Sequence, residues 1–413
     1  MKKDYAATAK KPPPGGVPQP NVTGTGLKNR RLPWEFQKFA SVKLFSCQAC
    51  GQVLFFENVR CEHCGHVLGY LPDRATISAL EPLAGDAWNA LAAPETTYKF
   101  CRNTAFGVCN WMVRADDEAG YCAACRHNRL IPDLATPGNA ELWARIEAAK
   151  RRLFYTLLRL QLPLENRIDN PEHGLAFDFL ADEAQSHAHN VMTGHDNGLI
   201  TLALREADDV VREKVRGEMH EPYRTLLGHF RHESGHYFWD RMISDDEAKL
   251  TEFRALFGDE REDYNAALQR HYNEGAPAFW QNEFVSAYAT AHPWEDFAET
   301  WAHYLHIVDT LETARAFGIK VKPRVAPSEL SAVVDFDAHN ATSMAQLIDA
   351  WLPIGFAVNS LNRSMGQPDL YPFVLAPKTI EKLAFIHALT HAVKAETPRA
   401  SKAAEAVKQG VVA

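Results

Sequence analysis

A chain of 413 residues with 46% hydrophobic and 23% charged residues has the composition of a globular protein with one sizeable core and smaller modules. Its formal net charge of −8 argues against a general nucleic-acid-binding protein, whose phosphate-contacting surface is normally basic. No apolar run approaches the roughly 20 residues of a membrane helix, and no apolar region follows Lys2 and Lys3 as in a secretory signal. We therefore expect a cytoplasmic protein with no membrane contact.

The first predicted segment is a disordered, basic arm over residues 1–38. It is rich in Pro and Gly, as in KPPPGGVPQP, and the first 40 residues carry eight Lys or Arg against two acidic residues. Such a composition buries too little apolar surface to order the chain, so we predict a flexible arm.

All eight cysteines lie between residues 47 and 125, in two groups. The first group, in a predicted zinc ribbon over 39–72, forms two Cys-x2-Cys knuckles: Cys47, Cys50, Cys61 and Cys64. The glycine after each knuckle, Gly51 or Gly65, permits the tight turn that points backbone amides at the sulfurs. Four thiolates close a tetrahedral structural zinc site with no open position. A redox Cys-x-x-Cys is disfavoured, because no thioredoxin-type βαβ pattern surrounds it.

The second cysteine group lies in a predicted zinc ribbon over 98–135 and predicts a second structural zinc site. It consists of Cys101, Cys109, Cys122 and Cys125. The spacing of its first pair is unusually wide, but the group uses all four remaining cysteines. His127 is an alternative ligand, although we expect its side chain to be exposed to solvent. The stretch between the two ribbons, 77–99, is predicted to be a linker.

Residues 136–394 predict a mainly helical domain, followed by a flexible tail over 395–413. Apolar residues at steps of three and four predict a first helix capped by Asn139. Two short strands are predicted at 174–181 and 198–206. The helices predicted after them cover 206–218, 222–243, 246–256, 260–272, 293–315, 343–364 and 377–394.

The segment HFRHESGHYFWD (229–240) contains the motif His-Glu-x-x-His. Residues four apart lie on one helix face, so His232 and His236 can bind one metal ion, and Glu233 can act as general base on a metal-bound water. Gly235 inside the motif indicates close backbone packing or mere tolerance. By itself the motif also fits a structural helix that carries two histidines.

A third ligand is expected in HPWEDFAETWAHYLH (292–306), because catalytic zinc takes three protein ligands. We predict Glu295 as that ligand. Glu299, one turn later, would accept a hydrogen bond from a ligand histidine. Asp296 or Glu299 as the ligand itself stays an alternative, as does a helix that merely begins with acidic residues.

The two motifs, about sixty residues apart, resemble a gluzincin metallopeptidase. More closely, residues 40–394 resemble a bacterial family of zinc-binding metallopeptidases with an N-terminal zinc-ribbon region, in stretches such as CGQVLFFEN, RHESGHYFWD and NRSMGQPDLYPFVL. The resemblance implies an α+β fold in which two small zinc ribbons precede a mainly helical, zincin-like domain. It also implies hydrolysis of peptides or proteins with one catalytic and two structural zinc ions.

Two further roles follow from this resemblance. Tyr288 resembles the placement of a catalytic tyrosine in some gluzincins and would stabilise the oxyanion, with a purely structural role as the alternative. The strand at 198–206 would be an edge strand that pairs with an extended substrate, or else an interior strand. The nearby histidines are expected to be packed or surface residues rather than ligands: His229, His292, His303 and His306.

A binding or adaptor protein is the competing hypothesis. In it the zinc ribbons and the basic arm would recognise a protein or nucleic acid, with the helical domain as a non-catalytic scaffold. The intact Glu233 argues against this hypothesis, because a scaffold needs no general base. The acidic remainder of the chain argues against broad nucleic-acid binding. A protein partner bound through the ribbons is compatible with either hypothesis.

Overall fold

The computed structural model describes residues 16–18, 44–181, 193–218, 224–325 and 329–408, with the backbone alone for 16–18 and 393–408. The strands are β1 (Gly16–Pro18), β2 (Leu44–Ser46), β3 (Val53–Phe55), β4 (Val67–Leu71), β5 (Thr76–Pro82), β6 (Ala87–Ala90), β7 (Thr97–Phe100), β8 (Met112–Arg114), β9 (Asn128–Pro132), β10 (Ala176–Leu180), β11 (Gly194–Asp196), β12 (Leu199–Ala203), β13 (Lys320–Val321) and β14 (Ala332–Val333). The helices are α1 (Asn139–Arg159), α2 (Asp209–Glu218), α3 (Leu226–Met242), α4 (Glu247–Phe257), α5 (Tyr264–Glu274), α6 (Pro293–Ala316), α7 (Met344–Ser364) and α8 (Pro377–Lys408). A strand-rich N-terminal region thus precedes a helical one, which confirms the predicted α+β class.

An antiparallel sheet of five strands, β4 to β8 in chain order, joins the two cysteine groups. Its strands β5, β6 and β7 occupy the stretch 77–99, so the predicted linker is wrong. The physical reason is burial, because Ile77, Ala79 and Leu80 are closed off from solvent inside the sheet. Gly85, with φ +74°, lies between β5 and β6, where the chain reverses.

A second sheet of five strands, ordered β1-β9-β10-β12-β11, crosses from the cysteine-rich region into the helical one. Strand β12 lies between parallel β10 and antiparallel β11. The segment 198–206 therefore supplies an interior strand, and the edge-strand alternative is wrong for it. Of the predicted basic arm, only Gly16–Pro18 is described, as strand β1 paired with β9. The rest of that arm lies outside the described residues.

Each predicted helix is present, and several begin where the sequence provides a capping oxygen. Four helices, α3, α4, α5 and α7, are each capped by the side chain of the preceding residue, which accepts a backbone N–H of the first turn: Thr225, Asp246, Asp263 and Ser343. Asn139 is the first residue of α1 rather than its cap, which is Gly138. Helix α8 continues to Lys408, so its predicted end at residue 394 is wrong. No described helix is long and apolar enough to cross a membrane.

Helices α3 and α6 cross at Gly235, the glycine inside the His-Glu-x-x-His motif. A Cβ atom at this position would lie 2.8 Å from the Cα of Ala298 and 3.2 Å from the Cβ of Trp301. The Ala298 backbone cannot move away from an added Cβ atom unless one of the two helices shifts. The crossing therefore explains the glycine as close helix packing, and it sets the distance between the two helices that carry the candidate metal ligands.

We expect Gly235→Ala to lower the free energy of unfolding by about 1–3 kcal/mol, as in other overpacked sites. The matched control is Gly355→Ala in α7, where an added Cβ would meet only Trp351, at an ordinary 3.9 Å. This control should be neutral or up to about 1 kcal/mol more stable, because Ala favours a helix over Gly. Denaturant unfolding of both variants measures the difference. Equal effects would show that the α3–α6 crossing can relax.

Candidate metal centres

Three candidate ligands converge where α3 passes the first turn of α6. The Nε2 atoms of His232 and His236 are 3.2 Å apart. Oxygen atoms of Glu295 lie 3.0 Å from the His232 nitrogen and 3.5 Å from the His236 nitrogen. Donors bound to one tetrahedral ion at about 2.0–2.1 Å would be roughly 3.3–3.4 Å from one another. The group is thus already spaced for a metal ion.

The chemistry of this group also fits zinc. Two imidazoles and one carboxylate form a donor set that catalytic zinc uses, and three protein ligands leave a position open. Glu295 is 1% exposed, and its oxygens face the Nε2 atoms of both histidines. A buried carboxylate is costly unless a cation or hydrogen bonds satisfy it.

Local sequence explains how α6 presents its carboxylate. His292 caps the helix by accepting the N–H of Trp294 on Nδ1, and Pro293 occupies the first turn, where it needs no N–H partner. Glu295 therefore falls in the first turn, facing α3. The Trp294 ring packs against His236, with ring centroids 4.1 Å apart, and restricts the orientation of that imidazole.

A second set of side chains orients the candidate ligands. Glu299 lies 2.7 Å from Nδ1 of His232, which leaves Nε2 of that ring for a metal. Ser286 in turn donates to the other Glu299 oxygen at 2.6 Å. The hydroxyl of Tyr264 donates to Oε1 of Glu295 at 2.6 Å.

The electrostatics of the centre suit a cation. Although burial opposes it, the charges and hydrogen bonds of His236 and His232 hold the pKa of Glu295 well below its usual value. Conversely, hydrogen bonds to Glu295 and Glu299 raise the pKa of His232 against the effect of burial. The carboxylates thus favour a positive charge at this point, which a proton or a metal ion can supply.

Glu233 and Tyr288, the predicted catalytic residues, both lie beside the ligand group. Glu233 follows the first ligand on α3 and keeps 9% of its surface exposed. Burial raises the pKa of its carboxyl group, toward the range that suits proton transfer near neutral pH. The Tyr288 ring centroid is 5.9 Å from that of His232, and burial raises the pKa of its hydroxyl.

The alternative ligand Asp296 lies apart from this group. Its carboxylate forms a buried ion pair with Lys382 of α8, at 2.6 Å. Asp296 therefore ties α6 to α8. The neighbouring histidines also have other contacts, since His292 caps α6 and Nδ1 of His303 lies 2.7 Å from the Tyr371 hydroxyl.

Sequence reasoning did not find Tyr264, Ser286 or His195. The His195 ring centroid, on β11, is 6.0 Å from that of His236. None of the three residues stands at a recognisable spacing from a ligand, because each comes from a different segment that only the fold brings to the site. The one sequence signal that could have indicated Ser286 is its position as a polar residue two places before Tyr288.

The two cysteine groups are each gathered into a compact cluster. In the first, Cys47 and Cys64 sulfurs, like those of Cys50 and Cys61, are 3.6 Å apart. In the second, the sulfurs of Cys109 and Cys122 are 3.8 Å apart. Tetrahedral zinc with bonds of about 2.3 Å places sulfurs about 3.8 Å from one another, far beyond a disulfide bond.

The turns of the first cysteine group follow the predicted geometry. Gly51 and Gly65 have φ values of +76° and +78°, and each donates its N–H to the carbonyl oxygen of the first cysteine of its knuckle at 2.8 Å. In the second group, His127 is buried, not exposed as expected. Its Nδ1 atom is 2.8 Å from the carbonyl of Ala123, and burial lowers its pKa to about 3.

Comparison with protein families matches residues 139–389 to a family described as "Putative zinc-binding metallo-peptidase". The chain belongs to this family. Residues 44–136 match a single zinc-ribbon domain model, which covers both cysteine groups and the sheet between them.

Relatives of this family member occur in mycobacteria. An uncharacterized protein of Mycobacterium tuberculosis and one of Mycobacterium bovis are each 48% identical to it over 351 residues. That alignment covers 84% of this chain and 95% of each relative. No solved structure matches the chain significantly.

Proposed function

We propose that this family member is a zinc-dependent peptidase that hydrolyses peptide bonds, with a gluzincin-like ligand set of His232, His236 and Glu295. The observation that carries this proposal is the convergence of the three side chains beside Glu233, with donor separations of 3.0–3.5 Å. If α3 were only a structural helix, its two histidines would need neither the carboxylate of Glu295 from another helix nor the contact of Glu299 with Nδ1 of His232.

A zinc ion in this centre would polarise the scissile carbonyl and lower the pKa of a coordinated water. Glu233 takes the proton of the attacking water and passes it to the leaving amine. Glu299, held by Ser286, keeps His232 in one tautomer and one orientation. Tyr264 fixes Glu295 in the same way.

Tyr288 is the proposed donor to the developing oxyanion. Its raised pKa keeps the phenol protonated, as a hydrogen-bond donor must be. The two cysteine groups would hold structural zinc, since four thiolates leave no open position. In this proposal the zinc ribbons stabilise the N-terminal region or select the substrate.

The test is hydrolysis of a mixed peptide library by the zinc-loaded protein. We expect cleavage that a chelator abolishes and that added zinc restores, with cleavage products identified by mass spectrometry. Zinc content is measured in parallel, so that loss of the structural ions is recognised. Failure to cleave any peptide or protein while all three metal groups hold zinc would contradict the proposal and favour the adaptor hypothesis.

A further inference from the structure

A cleft of about 370 Å³ lies at the C-terminal end of α3, next to the proposed catalytic centre. Its walls are the end of α3 and the turn between β11 and β12, and they include Asn197, Gly198, Tyr237, Asp240, Arg241 and Asp245. Asp240 lies one helical turn beyond His236. Its Oδ2 atom is 3.9 Å from Nε2 of His195, whose ring faces His236. A group bound in the cleft would therefore sit close to the reacting bond.

The cleft carries an uncompensated negative charge. Among the described residues, Asp240 and Asp245 form no ion pair with Lys or Arg, whereas Arg241 pairs with Glu165 at 2.8 Å. His195 forms no hydrogen bond with Asp240, because the 3.9 Å between Nε2 and Oδ2 is too long for one.

A second, independent feature points to a ligand. Tyr237 lines the cleft, is only 1% exposed, and its hydroxyl forms no hydrogen bond of normal geometry with any residue that the structure describes. A buried hydroxyl without a partner is destabilising, and such groups are rare in native proteins. A donor group on a bound ligand would satisfy the hydroxyl oxygen.

We propose that this cleft binds a positively charged group of the substrate, either a Lys or Arg side chain or the free N-terminal amine of a peptide. Asp240 and Asp245 supply the opposite charge, and the Tyr237 hydroxyl accepts a hydrogen bond from the same group. This inference rests on the proposed peptidase function and adds the substrate class: peptides with a cationic group near the scissile bond.

Binding is measured first, on zinc-loaded protein carrying Glu233→Gln, so that turnover does not interfere. The probes are fluorescent alanine-based octapeptides: N-acetylated with one Lys at each position in turn, the same set with norleucine, and a set with a free amine and no Lys. We expect one Lys peptide or the free-amine set to bind about 10- to 100-fold more tightly than acetylated norleucine peptides, as for a hydrogen bond to a charged group.

Asp240→Asn combined with Asp245→Asn should abolish that preference, and Tyr237→Phe should reduce it. The matched control is Glu252→Gln, at an exposed position of α4 away from the cleft, which should keep the preference. Zinc content is checked in each variant, because Asp240 lies near His236. Acetylation distinguishes the two sources of charge, since it removes the amine and leaves the side chain.

Equal binding of Lys, free-amine and norleucine peptides, or a preference that survives both Asp→Asn changes, would overturn the inference. The outcomes for the cleft proposal and for the proposed peptidase function can be distinguished. Cleavage of the library by the native protein without any basic preference would leave the peptidase standing and remove the cleft proposal. Charge-dependent binding without any cleavage would support the cleft proposal and contradict the peptidase function.

Discussion

Glu233→Gln is expected to reduce the rate of peptide hydrolysis by about 10²–10⁴-fold while the protein keeps its metal. The amide has nearly the shape of the carboxylate but cannot accept the proton of the attacking water. Because Glu233 is not among the three candidate ligands, zinc content should stay unchanged. The measurement is kcat/KM for a cleaved peptide, alongside zinc per chain.

Glu252→Gln provides the control, because it removes one carboxylate from an exposed position on α4. It should leave kcat/KM within the error of the native value. If Glu233→Gln retained native activity, Glu233 would not be the general base. If it lost zinc as well, its role would be structural, and the loss of rate could not be assigned to proton transfer.

His232→Ala combined with His236→Ala is expected to remove one of three zinc ions per chain and to abolish hydrolysis. The expected total follows from the three groups among the described residues that could hold a metal: two of four cysteines and one of two histidines with Glu295. Four-cysteine sites lie elsewhere in the fold and should keep their metal. Elemental analysis of the purified protein gives the count, and circular dichroism shows whether the fold is kept.

Helix α8 offers a matched control for the paired histidines. His387 and His391 are also four residues apart on a helix, with ring centroids 4.0 Å apart. No carboxylate joins them in a metal-holding group within the described part of the chain. Changing this pair to Ala should therefore leave three zinc ions. A native protein with two ions, unchanged by either double substitution, would make α3 a structural helix and leave the adaptor hypothesis.

The sequence alone was sufficient to predict features that depend on residues a few positions apart in the chain. A separation of four residues places His232 and His236 on one helix face, and Gly51 and Gly65 adopt the positive φ that a zinc knuckle needs. Helices were predictable because apolar periodicity and capping oxygens act within a few residues. The α+β class was implied by the family resemblance, and in the structure most strands precede α1 and most helices follow β12.

Only the tertiary structure decided what depends on contacts between distant segments. The stretch 77–99 was predicted to be a linker, yet it forms strands that pair with their neighbours, which buries Ile77, Ala79 and Leu80. Tyr264 and Ser286 reach the carboxylates of Glu295 and Glu299 from a helix and a loop that no spacing rule connects to these residues. Asp296, one residue along the chain from Glu295, faces Lys382 instead, because helical rotation turns successive side chains about 100° apart.

The relation between the cysteine-rich and helical regions was also beyond the sequence. The Sγ atom of Cys125 lies 3.8 Å from Glu147 of α1, and buried Arg151 of the same helix donates to the carbonyl of Val108. The main hydrophobic core extends from Phe45 to Leu389, and a smaller cluster lies in the sheet of β4 to β8. The sequence alone identified the candidate metal ligands within each motif, because they lie a few residues apart. Burial and long-range pairing decided that the ribbons and the peptidase-like helices share one core, because those energies depend on which surfaces meet.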